Sequence, residues 1–148
     1  MKAIIVILSL VVYSQAIDKE FVDKFMDELK VIGDQCIGET GATKDDLVSL
    51  LAHTIPESHE GKCLIFCFHK HFDMQDESGN LNKDGFLNAL EALKAHDEEV
   101  YNKFVQIYDT CSVSVPTNSD PCEYAGALAT CGVKEGHAMG LKEDLFLE

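Results

Sequence analysis

The chain contains no tryptophan and no arginine, three prolines, and aromatic residues at only 8% of 148 positions. Without guanidinium groups there are no bidentate forks for phosphate or carboxylate. The lysines are outnumbered as well. Lys and Arg together number 12 against 26 Asp and Glu, giving a formal charge of −14. Such a surface repels nucleic-acid backbones and anionic membranes, so neither is expected as a partner. No Gly-x-Ser-x-Gly elbow, His-Glu-x-x-His pair or Gly-rich phosphate loop occurs, and no enzyme class is indicated. There is also no sustained strand alternation and no internal repeat.

Long apolar runs are absent except at the start. Ala3–Tyr13 is an apolar stretch of 11 residues behind Lys2, followed by Ser14-Gln15-Ala16. Spanning a bilayer takes about 20 residues. The pattern is that of a secretory signal peptide cleaved after Ala16. The expected mature domain is Ile17–Glu148, of 132 residues, which is enough for one hydrophobic core. With eleven Lys left against the same 26 acids, its charge is −15. An extracellular, secreted location follows.

All six cysteines, at 36, 63, 67, 111, 122 and 131, fall in that domain. An even count in an exported chain predicts three disulfides, with fifteen pairings open on composition alone. The Cys63-x3-Cys67 gap suits zinc geometrically, but an oxidising export route disfavours thiolate ligands, so no metal is expected.

Apolar spacing of three and four predicts an all-α domain of six helices. Phe21, Phe25, Leu29, Ile32 and Cys36 form one stripe from Asp18 to about Gly38, ended by Gly38 and Gly41. Thr43 and Asp46 make a capping box for a short second helix carrying Leu47, Leu50 and Leu51. Pro56 closes it, and Ser58 caps a third helix running to about Asp73. Cys63 and Cys67 share a face of that helix. Asp76–Gly85 reads as a loop. Phe86, Leu90 and Leu93 mark the fourth helix. Asp97 caps the fifth, with Val100, Phe104, Ile107 and Cys111 inward. Asp120-Pro121 starts the sixth, with Ala125, Leu128 and Cys131 inward. Gly132, Gly136 and Gly140 predict an irregular tail beyond Cys131.

The register Cys36-x26-Cys63-x3-Cys67-x43-Cys111-x10-Cys122-x8-Cys131 resembles the six-cysteine signature of insect odorant-binding proteins, pheromone-binding members included. The resemblance covers the whole mature chain. It implies a compact, disulfide-stapled six-helix domain enclosing an apolar cavity. It implies first-to-third, second-to-fifth and fourth-to-sixth cysteine pairing: Cys36–Cys67, Cys63–Cys122 and Cys111–Cys131. It also implies a carrier without catalysis or cofactor, whose partner is a small hydrophobic ligand such as an odorant or pheromone. A chemosensory receptor is the expected second partner, and the protein is expected as a monomer or weak dimer. Inward positions of the later helices then become expected cavity walls: Ile65, Phe68, Leu90, Phe104, Tyr108 and Leu128. Each has ordinary core packing as its alternative. Non-olfactory transport of a lipophile is a further alternative within the same class.

Two other features stay open. Asn80-x-Asn82-x-Asp84-Gly85-x5-Glu91 approaches a calcium loop, with oxygen ligands at alternate positions and a terminal Glu. Its alternative is a structural turn, Gly79-x-Leu81-x-x-Asp84-Gly85, of a kind the resemblance also implies. His53, His59, His69, His71, His96 and His137 serve no motif. His69 and His71 diverge on a helix and cannot face one metal. Histidine is the side chain type that ordinarily changes charge near pH 6.5, and the set predicts weaker ligand binding toward pH 5. The tail from Gly132 to Glu148, with Leu141, Leu145, Phe146 and Leu147, is a candidate lid; its alternative is a disordered terminus.

Overall fold

The structure, a computed structural model, describes residues 18–141. The expected leader and residues 142–148, with Leu145, Phe146 and Leu147, lie outside them. Seven helices occur among the described residues, and no strand beyond an isolated bridge between Gln75 and Leu81. They are α1 (Lys19–Thr40), α2 (Lys44–Leu51), α3 (His59–His71), α4 (Lys83–Ala89), α5 (Glu91–His96), α6 (Glu98–Ser114) and α7 (Pro121–Ala138). None is long and apolar enough to cross a membrane.

The helix starts follow local chemistry. Side chains of Asp18, Thr43, Ser58, Asn82, Asp97 and Asp120 each accept a backbone N–H of the first turn, satisfying donors that have no partner inside the helix. Thr43 and Asp46 form the reciprocal capping box. Of the two glycines expected to end α1, Gly41 is the stop, and Gly38 stays within the helix. Gly41 takes φ 75° and donates its N–H to the Ile37 carbonyl, a left-handed cap that costs glycine little.

Two expectations need correction. The fourth helix is split at Leu90, so seven helices stand where six were anticipated. Leu90 has ψ −4°, while bonds from its N–H to the Phe86 carbonyl and from the Lys94 N–H to its own carbonyl bridge the seam. The bend leaves Leu93 buried and Leu90 only half-buried. Second, the chain beyond Cys131 is not irregular: α7 continues to Ala138. Glycine in a helix interior costs about 1 kcal/mol against alanine. Here Cys131 is pinned to α6 by its disulfide, and Ile107 of α6 lies against Gly132 and Gly136. Packing along α6 outweighs the propensity penalty.

Helix α3 is the centre of the fold, packing against α1, α2 and α7, while α6 packs on α5 and α7. Its Leu64 and Ile65 are 0% and 2% exposed. Leu64 belongs to a cluster with Cys36, Leu47 and Phe68; Ile65 joins Phe66, Cys122 and Ala125. A third cluster, Ile107, Cys111, Tyr124 and Leu128, lies between α6 and α7. Three cystines tie these helices: Cys36–Cys67 (α1 to α3), Cys63–Cys122 (α3 to α7) and Cys111–Cys131 (α6 to α7). This is the pairing the cysteine register implies by resemblance. With sequence separations of 31, 59 and 20, loop-closure entropy assigns each about 3–4 kcal/mol.

Candidate ligand-binding cavity

A cavity of about 350 Å³ opens among α4, α6 and α7. Phe104, Ile107 and Tyr108 of α6 form one wall, and Leu128, Gly132 and Gly136 of α7 the facing one. The α7 residues recur every four positions, so they share one face of the helix. The two glycines remove side chains from that face and leave room. Phe86 and Leu90 close one side, Phe25 of α1 and Phe72 another. Leu141 reaches the cavity as well, turned back by its N–H bond to the Gly136 carbonyl.

Four of the six expected wall residues, Leu90, Phe104, Tyr108 and Leu128, line this space. Ile65 and Phe68 do not; they sit in the two packed clusters of α3. The reason is the central position of α3. Neighbours cover it on several sides, so its buried faces mostly meet other helices. The one α3 side chain at the cavity is His69.

Polar groups at the wall are few: His53, His69, His137, Tyr108 and Ser112. Tyr108 stacks on Phe86 at 4.6 Å between ring centroids. Burial, then the neighbouring Tyr124 and Asp109, push its hydroxyl above the usual phenol range, so it stays a neutral donor. His69 Nδ1 lies 2.7 Å from Oε1 of Gln75, which is 1% exposed. Gln75 Nε2 donates to the Gly79 carbonyl at 2.8 Å. Burial lowers the His69 pKa from its ordinary value, and the Gln75 hydrogen bond opposes that only in part.

The remaining histidines do other work. His59 pairs with Asp120 at 2.9 Å on the surface, and His96 lies over the ring of Phe21 with centroids 4.3 Å apart. His71 is exposed. Two groups with metal-like spacing, Cys36–Cys67–His71 and His59–Cys63–Cys122, draw two of their three members from a cystine. A cystine sulfur is not a thiolate and makes a poor ligand.

The calcium-like segment is built as a turn and helix start. Asn82 Oδ1 accepts the Gly85 N–H at 3.2 Å, so it caps α4. Asp76, rather than Asp84, organises the turn, accepting the backbone N–H of Ser78 and of Asn80 at 2.8 and 2.9 Å. Gly85 serves close approach: a Cβ there would overlap the Asp73 carbonyl. Glu91 opens α5.

The sequence reading missed His69, Phe25, Phe86 and the two glycines as cavity residues. Leu128, Gly132 and Gly136 carried a usable signal in their spacing of four. Nothing in the sequence placed His69 beside them.

Comparison with known proteins agrees with this architecture. Residues 18–135 match the model of the PBP/GOBP family. General odorant-binding protein 19d of Drosophila melanogaster is 33% identical over 116 residues, covering 78% of this chain and 77% of that protein. The structure of odorant-binding protein dmelOBP28a from Drosophila melanogaster superposes with a TM-score of 0.69 at 26% identity, over 82% of this chain and 99% of the other. Odorant Binding Protein 7 from Anopheles gambiae, with four disulfide bridges and in complex with an azo compound, gives a TM-score of 0.60 at 25% identity, over 84% and 95%. By the extent of the family match, and by the helical frame and cysteine register behind it, the chain belongs to the PBP/GOBP family of odorant-binding proteins.

Proposed function

We propose that this protein is a secreted carrier that binds and solubilises small hydrophobic molecules, such as odorants or pheromones, in its internal cavity, without catalysis. The observation that carries the reading is the cavity of about 350 Å³, walled mainly by Phe104, Ile107, Tyr108, Leu128 and Leu90. Its size falls within the range of about 300–1,000 Å³ typical of small-molecule sites. Residues 1–16 act as the export signal, and the acidic surface keeps the mature domain soluble at high concentration. The partner is an apolar ligand, held non-covalently by a monomer or weak dimer that can present it to a chemosensory receptor. Each buried methylene contributes about 0.8 kcal/mol, so a ten-carbon chain gains about 8 kcal/mol before ordering costs. Micromolar affinity needs about 8.2 kcal/mol net. Packing and a polar contact must supply the margin.

Leu141 lines the wall, and its loss is what truncation after Gly140 tests. The test is displacement of N-phenyl-1-naphthylamine fluorescence by medium-chain alcohols, esters and terpenoids. Binding in the low micromolar range is expected, weakened several-fold by truncation after Gly140. A protein that neither takes up the probe nor releases any co-purified lipophile on extraction is not a carrier.

A further inference from the structure

The buried chain from His69 through Gln75 to Gly79 has a consequence for ligand choice. The Gly79 carbonyl can only accept, so the Gln75 group 2.8 Å from it is the amide nitrogen. That fixes Oε1, also only an acceptor, on the side of His69 Nδ1. Nδ1 must therefore carry the proton. In the neutral ring Nε2 is then a bare lone pair. Among the described residues Nε2 takes no partner, yet no buried side-chain nitrogen or oxygen lacks one. Nε2 is therefore accessible, and the open space that His69 borders is the cavity. Burial dominates the titration of the ring, while His69 as a residue is only half-buried and keeps accessible surface. Both hold when that surface faces an internal void.

We propose that His69 makes the cavity selective for ligands bearing a hydroxyl: Nε2 accepts the O–H of a medium-chain alcohol, with the ring held in register by Gln75. Hydrocarbons, ethers and esters cannot supply that proton. Tyr108, the phenol at the same wall, donates to ether and alcohol oxygens alike and does not discriminate between them. The inference rests on the carrier reading and adds the class of ligand to it.

The test compares two isomers of the same heavy-atom count, decan-1-ol and methyl nonyl ether, by displacement of N-phenyl-1-naphthylamine. One net hydrogen bond predicts that the alcohol binds about fivefold to tenfold tighter in the wild type. His69→Phe keeps an apolar wall and brings the ratio to parity or below, while substitution of the exposed His71, which does not border the cavity, by Gln (His71→Gln) leaves it unchanged. A second readout needs no variant. In the ¹⁵N spectrum of the wild type, His69 should show a protonated Nδ1, and its Nε2 resonance should move when decan-1-ol is added and stay when the ether is added. Equal affinity for the isomers in the wild type overturns the inference and leaves the carrier reading standing. An unchanged ratio in a folded His69→Phe, or an Nε2 resonance indifferent to the alcohol, does the same. If neither isomer displaces the probe and the probe itself does not bind, the carrier reading falls and this inference with it.

Discussion

The two halves of α7 pack in different ways, the first against α3 and the second against α6. Where α3 crosses α7, Ile65 and Ala125 are at most 2% exposed, and the cystine Cys63–Cys122 and the Lys62–Glu123 ion pair at 2.8 Å bind the helices together. Farther along α7, Leu128, Gly132 and Gly136 pack beside Ile107 of α6 and, with Phe104, border the cavity. One helix thus supplies half of a solid core and half of a hollow one. The lesson concerns cost. A void forgoes the contacts that packing would give, and the frame around it has to be held by something else. The cystine Cys111–Cys131 joins the two cavity walls, and Cys111 itself borders the space.

Truncating each half separates them most sharply. Ile65→Ala opens a cavity in the solid part, where the surroundings are pinned, and is expected to cost about 3–5 kcal/mol. Leu90→Ala enlarges a space that already exists beside a half-buried side chain, and should cost about 1 kcal/mol. Urea unfolding at fixed pH measures both. Equal losses would mean that the hollow half is as tightly packed as the solid one.

Adding one methyl group reverses the sign between the halves. At Gly61 a Cβ would overlap Pro56 and come within 2.8 Å of the Ser58 hydroxyl that caps α3. Gly61→Ala should destabilise by about 1–3 kcal/mol. At Gly132 the nearest atom, Ile107 Cγ2, would lie 3.9 Å away, an ordinary contact. Gly132→Ala should gain up to about 1 kcal/mol from helix propensity. Gly132→Leu, with a side chain long enough to fill the space, should keep the fold and lose ligand binding at least about tenfold, equivalent to about 1.4 kcal/mol. Probe binding by Gly132→Leu as strong as the wild type's would place the ligand elsewhere.

The solid half was the more legible in the sequence. Caps at Thr43, Ser58, Asp97 and Asp120 mark helix starts because a side chain bonds its own first turn, a purely local event. The hollow half depends on what lies opposite. Apolar spacing shows that Ile65 and Leu128 are both buried, and it cannot show that one meets a helix and the other a void. The glycines of α7 mislead for a related reason: in isolation they break helices, and here α6 lies against them. The seam at Leu90 carries no glycine or proline to announce it. His69 becomes informative only once Gln75, six residues on, folds back to hold its ring.

Acid should act on the two halves in opposite directions, and this is the smallest effect. His69, at the cavity, has its pKa lowered chiefly by burial. Between about pH 6.5, the unfolded value, and its lower folded value, the unfolded chain binds a proton that the native state refuses. Stability therefore falls as pH drops below about 6.5. His59, on the α3–α7 surface, has its pKa raised by its hydrogen bond to Asp120 and by that carboxylate's charge. Its contribution is fully present below about 6.5 and is lost as pH rises through the folded value. Asp120, with its pKa lowered first by His59, contributes above the unfolded aspartate value of about 3.9 and loses that contribution in stronger acid. Between about pH 4 and 6.5 the surface pair therefore supports the fold while the cavity histidine opposes it. The pair is solvated and screened, so the buried group should dominate. Urea midpoints taken from pH 7.5 down to pH 5 are expected to decline in the wild type, less steeply in His69→Phe, and slightly more steeply in His59→Gln. If His69→Phe declined as steeply as the wild type, the acid response would belong to groups other than His69.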